Sequence, residues 1–341
     1  MLGDWPTPID AIDVDGRPIW IKREGDSSTR YGGNKIRTLE AWLGHTRAAN
    51  AHRIWAIGAY GSNHAIATVL HARAIGLDAG AILFPQPHSA PAHENAGALV
   101  ATGCEVVRLR HVLEVPFAAL AVARRDRGSI VMPPGGATPI GTFGALSAAF
   151  ELAEQIEHGL APAPRRIVVP IGSTCTAAGL VAGLALAHAL GAWRWPIPIV
   201  HAVRVTPWPV TSRLRTAELA ARTLDRIAAL GGPRPSVSLV ELASRLVVDG
   251  RELGAGYGRP TPSALAALAE LGELRASPRL DIVYSAKTAA ALLRLHRSHT
   301  APLLFWSTKS TARLAPPSLA ALRAAPRALR HWLGTLSTSS T

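Results

Sequence analysis

Lys35 follows two glycines and an asparagine in GGNKIR (32–37), where a polar stretch gives way to a helical pattern. A lysine on a solvated helix face needs no such entry. A lysine that must become an uncharged nucleophile does, since burial beside apolar or cationic groups favours the neutral amine. Four other segments put small or polar residues where a strand-like run meets a helical one, which is where open α/β sheets bind ligands. In GAYGSNH (58–64), Gly58 ends the strand, and Ser62 and Asn63 open the helix. Their side chains suit capping, and the N–H groups around them suit a carboxylate. GSTCTAAG (172–179) follows the apolar IVVPI and consists of small residues and hydroxyls, so its backbone can approach an anion closely at a helix start. PPGGATPIGTFG (133–144) reads as a glycine loop before a helix or as an ordinary loop. In YSAK (284–287), Tyr284 is either a buried anchor or an acid/base group.

Other chemistries lack their signatures. The 13 histidines show neither His/Cys nor HExxH spacing, so no metal site is expected. His188 and His201 read as core or helix-face residues. No GxSxG elbow is present, and GSTCTAAG lacks the Gly-Lys-Ser/Thr ending of a nucleotide-binding loop. Cys104 and Cys175 are the only cysteines, too few for a disulfide framework. The net charge of +13 comes without basic blocks interleaved with aromatics. That pattern argues against nucleic acid and for a field that attracts small anions. The most apolar stretch, TAAGLVAGLALAHALGAW, is broken by glycines and His188 and reads as a buried helix, with no membrane span expected. MLGDWPTPID lacks a basic and an apolar region of signal type, so the cytoplasm is the default.

The elements that must position these residues alternate. Strand-like runs are RIWAIGA (53–59), AGAILFP (79–85), CEVVRL (104–109), RRIVVPIGS (165–173), PIPIVHAVRV (196–205), DIVYS (281–285) and PLLFWST (302–308). Helical patterns lie between them, a rhythm that predicts α/β architecture with parallel sheets flanked by helices. The tail from Pro316 predicts a terminal helix interrupted at Pro326 and a frayed STSST end.

Taken together and in order, the segments resemble one family. REGDSSTRYGGNKIRTLE (23–40) is similar to the Schiff-base segment of the pyridoxal-phosphate enzymes related to D-cysteine desulfhydrase and 1-aminocyclopropane-1-carboxylate (ACC) deaminase. GAYGSNHAIATVLHARAIGL, PPGGATPIGTFG, GSTCTAAGL, GYGRPT and DIVYSAK resemble its serine-asparagine-histidine segment, glycine loop, phosphate loop and two tyrosine segments. The resemblance implies the two-domain tryptophan-synthase-β-like fold (fold type II). The large cofactor-binding domain would comprise 1–46 and 149–341, and the small one 47–148. It implies that Lys35 carries pyridoxal 5'-phosphate and that Gly172, Ser173, Thr174, Cys175 and Thr176 line the phosphate. Asn63 would bond the phenolic oxygen, and Thr308 would face the ring nitrogen. Ser62, Asn63, His64 and Tyr257 would meet the substrate, while Lys35, Tyr284, Ser62 and Tyr257 would serve catalysis. A homodimer is also implied.

The activity implied is a lyase or deaminase reaction, α,β-elimination from a small amino acid. The first candidate is D-cysteine, giving pyruvate, sulfide and ammonia. The alternatives are ACC deaminase, which opens the ring to 2-oxobutanoate and ammonia, a divergent member of a specialised pathway, or a non-catalytic relative that binds the cofactor or an amino acid. Ser285 after Tyr284 is closer to the threonine of the desulfhydrases than to the glutamate of the deaminases. Several positions depart from the family pattern. Gly61 stands for a glutamine, Ser307 for a histidine, Ala286 for a glycine, and Lys309 and Ser310 for glycines. Thr38 stands where some relatives have a basic residue. These departures cluster around substrate and ring edge, where pocket shape sets substrate choice.

Overall fold

The structure, a computed structural model, describes residues 1–334. Among them the strands are β1 (Ile9–Val14), β2 (Arg17–Arg23), β3 (Arg53–Ala59), β4 (Asp78–Phe84), β5 (Glu105–Arg108), β6 (Ser129–Val131), β7 (Arg166–Ile171), β8 (Ile199–Arg204), β9 (Leu246–Asp249) and β10 (Leu303–Ser307). The helices are α1 (Asn34–Ala48), α2 (Asn63–Ala74), α3 (Ala90–Ala101), α4 (Val115–Arg125), α5 (Pro139–Glu157), α6 (Cys175–Ala189), α7 (Arg213–Ala229), α8 (Leu239–Ser244), α9 (Pro262–Gly272), α10 (Ser285–Ser298), α11 (Leu319–Ala324) and α12 (Arg327–Gly334). They form two compact units. The first joins Met1–Ala41 to Ala137–Thr311, and the second joins Trp42–Gly136 to the segment from Ala312 on. The breaks of these units fall at 41/42 and 136/137, where the resemblance implies 46/47 and 148/149, and the segment from Ala312 groups with the second unit rather than with the larger one.

The first unit holds a six-stranded sheet in the order β1-β2-β10-β7-β8-β9. All its pairs are parallel except β1 with β2. That hairpin turns at Asp15 and Gly16, both at positive φ, as a two-residue hairpin turn requires. Alternation along β7 feeds two cores. Ile167, Val169 and Ile171 join the cluster contributed by α5 to α8, and Val168 joins the one from α9 and α10. The Gly/Ala-rich run predicted as a buried helix is α6. A Cβ on its Gly179 would sit 2.6 Å from Ala145 Cβ, so the glycine lets α5 and α6 touch.

The strand predicted over 281–285 is a turn instead. Asp281 Oδ1 accepts from the backbone N–H groups of Val283 (2.9 Å) and Tyr284 (2.8 Å). An aspartate that bonds its own backbone two residues on favours a turn over an apolar run's strand propensity. This turn launches α10.

The second unit holds a parallel four-stranded sheet, β5-β4-β3-β6. Trp55, Ile57, Ile82, Leu109 and Val122 make a core between sheet and α4. The tail docks here through Trp332, which donates to the Gln86 carbonyl (3.0 Å) and stacks on His93 at 4.2 Å. The interruption predicted at Pro326 separates α11 from α12. STSST lies outside the described residues.

Candidate active site

Lys35 lies in the first turn of α1, and the chain before it is held from several sides. Gly33 N–H donates to the Glu24 carbonyl at 2.7 Å. Gly33 takes φ +99, and a Cβ there would lie 2.5 Å from the Thr308 carbonyl oxygen. Only glycine fits both conditions. Two residues on, Arg37 makes a two-pronged pair with Glu24 (2.7 and 2.8 Å) and bonds Glu151 at 2.9 Å. Lys22 completes this buried network against Glu151, Gln155 and the Thr7 carbonyl. Glu24 and Arg37 stand in REGD and KIR beside Lys35, but no strand-end motif marks them, because their role depends on Lys22 and on Glu151 far along the chain. Their geometry fixes α1 and therefore Lys35.

The start of α1 meets the start of α6. Asn34 Nδ2 donates to Thr176 Oγ1 at 2.8 Å. Burial lowers the Lys35 amine below its usual 10.5, opposed by the nearby Cys175 sulfur. The Cys175 thiol is itself pushed up by burial and accepts from Thr38 Oγ1 at 3.7 Å. Cys175 thus turns its side chain toward α1, and only its backbone is left to serve an anion at the helix start. Thr174, the N-cap of α6, sits at φ +71 and gives no side-chain cap, because its hydroxyl donates to the Ser173 carbonyl at 2.6 Å. A helix whose first N–H groups lack an internal cap suits an oxyanion.

Beside this loop lies a tyrosine pair. A Cβ on Gly172 would stand 3.2 Å from Tyr284 Cε1, so the loop and the ring are in contact. Tyr284 and Tyr257 share a hydroxyl–hydroxyl bond of 3.0 Å, with rings edge to face. Loss of water around the phenols pushes Tyr257 up to about 12 and Tyr284 well above 10.0. Both phenols therefore stay neutral. Lys287, fully buried, donates to the carbonyls of Leu253 (2.8 Å) and Gly256 (3.3 Å) and ties down the loop that carries Tyr257. Ser285 Oγ is taken up by Asp281 at 3.0 Å, so this hydroxyl serves the turn. Thr308 follows β10 and is half-buried, with buried Lys309 and Ser310 after it.

In the second unit, Ser62 caps α2: its Oγ accepts from Ala65 N–H at 3.2 Å. Asn63 Oδ1 accepts from Asn95 Nδ2 at 2.8 Å, and the same amide donates to the Gly61 carbonyl at 3.0 Å. Asn95, which the motifs did not flag, thereby orients the Asn63 amide. His64 is buried. The sequence-predicted residues thus fall into two groups. Lys35, 172–176, Tyr257, Tyr284 and Thr308 belong to the first unit, and Ser62, Asn63 and His64 to the second.

Residues 1–302 match the family model described as pyridoxal-phosphate dependent enzyme. Nocardicin C-9' epimerase of Nocardia uniformis subsp. tsuyamanensis is 36% identical over 316 residues, covering 90% of each chain. D-cysteine desulfhydrase of Salmonella paratyphi A is 30% identical over 303 residues, 84% of this chain and 85% of that one. A crystal structure of an ACC deaminase homologue superposes with a TM-score of 0.74 at 28% identity, covering 92% of both chains. No helix of the described residues is long and apolar enough to cross a membrane.

Proposed function

Because the chain belongs to the pyridoxal-phosphate dependent enzymes, we propose that it removes the α proton of a small amino acid and expels the β substituent, with Lys35 carrying the cofactor. One observation supports this above the rest. An amine held below its usual pKa opens α1 where Asn34 bonds the start of an uncapped helix. Amine, anion-ready backbone and neutral phenols fit the cofactor's aldehyde, phosphate and ring.

When bound, pyridoxal phosphate supplies the electron sink for the bond broken at Cα. Lys35 would hold it, and the backbone of 172–176 would hold its phosphate. Thr308 would serve the ring nitrogen with a neutral hydroxyl. The Asn63 amide, oriented by Asn95, would donate to its phenolic oxygen. Lys35, released when substrate takes its place, accepts the α proton as a neutral amine. Tyr284 is a neutral proton donor at the pH of catalysis, and Tyr257 positions its hydroxyl. Ser62 and the N–H groups at the start of α2 hold the substrate carboxylate, and His64 supports that segment from inside. With D-cysteine, water enters and sulfide, ammonia and pyruvate leave. With the cyclopropane substrate, ring opening replaces sulfide loss and 2-oxobutanoate forms. The homodimer and the cytoplasmic location belong to this proposal and rest on the family resemblance.

A second reading has its own support. The relative that covers 90% of the chain at 36% identity is an epimerase. Epimerisation shares the first step, but the proton returns to the opposite face and nothing leaves Cβ. Proton NMR in deuterium oxide with a panel of D- and L-amino acids, alongside ammonia release, separates the two. Pyruvate and sulfide from D-cysteine, or 2-oxobutanoate from the cyclopropane substrate, establish elimination. Deuterium at Cα with inverted configuration and no ammonia establishes epimerisation. Absence of both from every substrate would sink the proposal.

A further inference from the structure

β7 and α10 each have two ends. Gly172 follows the carboxyl end of β7, and Tyr284 caps the start of α10. At the opposite ends of the same two elements lies a cavity of about 500 Å³, lined by Arg166, His201, Asp249, Arg251, Arg294 and His299 among others. Strand register explains it. Arg166 pairs with Ile199, and His201 pairs with Val247. By alternation Arg166, His201 and Asp249 therefore point to one face of the sheet, beneath the last turn of α10. A neighbouring cavity of about 290 Å³ shares Arg166 and His299 and adds Arg165.

The charge here is unbalanced. Three guanidiniums, Arg166, Arg251 and Arg294, face one carboxylate, Asp249. That carboxylate is already used. Oδ2 accepts from His201 Nε2 (3.0 Å) and Arg294 Nη2 (2.5 Å), and Oδ1 accepts from the backbone of Arg251 (3.0 Å). These hydrogen bonds, the one from His201 first, hold Asp249 well below the usual carboxylate range. The guanidiniums of Arg166 and Arg251 have no hydrogen bond or ion pair to any described residue. Arg294 Nε and His201 Nδ1, both in the lining, are buried without a hydrogen-bond partner. Buried guanidinium donors without acceptors carry a desolvation cost, and a concave wall concentrates their field. Planar, two-pronged donors of this kind match carboxylate and phosphate oxygens.

We propose that this cavity binds a small organic oxyanion, a phosphate- or carboxylate-bearing metabolite, at a site separate from that of Lys35. The volume is that of a small-molecule site rather than of a lone ion. The occupant reaches Arg166 and Arg251, while the Asp249–His201–Arg294 triad forms the floor.

The test uses the cofactor-loaded enzyme, so that the phosphate loop at 172–176 is already filled. Inorganic phosphate and citrate are titrated separately by calorimetry and thermal melting, at ionic strength held constant with sodium chloride. Saturable heat and a raised Tm are expected for at least one of them, and the tighter binder identifies the head group. The Arg166→Gln/Arg251→Gln double variant should weaken binding at least about tenfold, close to the discrimination one lost charge-assisted contact gives. Arg222→Gln, exposed on α7, should not. Should the double variant misfold by circular dichroism, Arg251→Gln alone decides, since its exposed side chain supports no other residue. No saturable effect beyond chloride, or unchanged binding in the variant, overturns the site.

Discussion

Two helices of this protein begin in the same way in sequence and differently in structure. α2 in the second unit and α6 in the first each follow a buried strand, a glycine and a hydroxyl-bearing residue. α2 caps itself: Ser62 is extended and its Oγ accepts from Ala65 N–H at 3.2 Å. α6 does not, because Thr174 sits at φ +71 with its hydroxyl turned back to the Ser173 carbonyl. A self-capped start has satisfied one of its own donors, whereas an uncapped one keeps them for a ligand. The lowered amine of Lys35 also belongs with the uncapped start, through Asn34 and Thr176. On the function proposed above, the difference favours α6 over α2 for the cofactor's phosphate, with α2 left to orient an amide and a carboxylate.

The largest test of that division is Lys35→Met. Activity should fall roughly 10³-fold or more, because a covalent anchor and a proton acceptor go together. Borohydride should no longer fix the cofactor to this position, and a fixed label there would break the assignment. The apoenzyme carries a second signature. A lowered folded pKa means that the folded chain binds fewer protons than the unfolded one as pH falls from 10.5 toward the lowered value. Stability contributed at Lys35 is therefore lost on going down through that window. Lys35→Met should remove this loss, so the variant apoenzyme should melt higher than wild type at neutral pH.

Tyr284→Phe comes next. It should lower kcat by about 10²–10⁴-fold while leaving cofactor loading intact, since a proton donor is removed and the anion site is not. Tyr257→Phe should do less. With Tyr257 raised to about 12 and Tyr284 well above 10.0, neither phenol ionises below pH 10. The pH profile of kcat should show no tyrosine limb in that range. Their stability contribution is complete below 10.0 and disappears as pH climbs through the raised values. A descending limb near neutrality that Tyr284→Phe abolishes would contradict the neutral pair.

Much of this arrangement was legible in advance. The order of strand-end motifs pointed to parallel α/β sheets, and GGNKIR and GSTCTAAG marked the two helix starts that do meet. What stayed hidden depends on tertiary partners. DIVYS has a strand's composition, but Asp281 turns it through bonds to its own backbone. The Ser285 hydroxyl, which looked like a pointer to the substrate, belongs to the same turn. β1 and β2 interleave charged residues with apolar ones, and Lys22 among them joins the buried network with Glu151 and Arg37, so their apolar signal is weak. Asn95 and Lys287 lie in ordinary helical patterns, and only the fold brings them to Asn63 and to the Tyr257 loop.

On the α2 side, Gly61 replaces a glutamine of the family pattern for a steric reason. A Cβ there would lie 2.4 Å from Ala92 Cα and 2.7 Å from its carbonyl oxygen. α3 thus approaches the Ser62 loop more closely than any side chain at 61 would permit. Gly61→Gln should cost about 1–3 kcal/mol in urea unfolding through forced backbone movement. It should also raise KM more than it lowers cofactor affinity. Equal losses in both would show that α2 shares the cofactor site on the same footing as α6.

The smallest effects discriminate most finely, because the comparison predicts opposite signs. Ser62→Ala removes a cap and should destabilise by about 1 kcal/mol. Thr174→Gly relieves a left-handed threonine that caps nothing. It should be neutral or stabilising by up to about 1 kcal/mol, the strain of a non-glycine residue there less glycine's entropy. Both are read from urea midpoints of the apoenzyme, where no ligand masks the helix starts. If Ser62→Ala proves neutral while Thr174→Gly destabilises, Thr174 is the residue that supports its helix. The phosphate would then have no claim on α6 over α2.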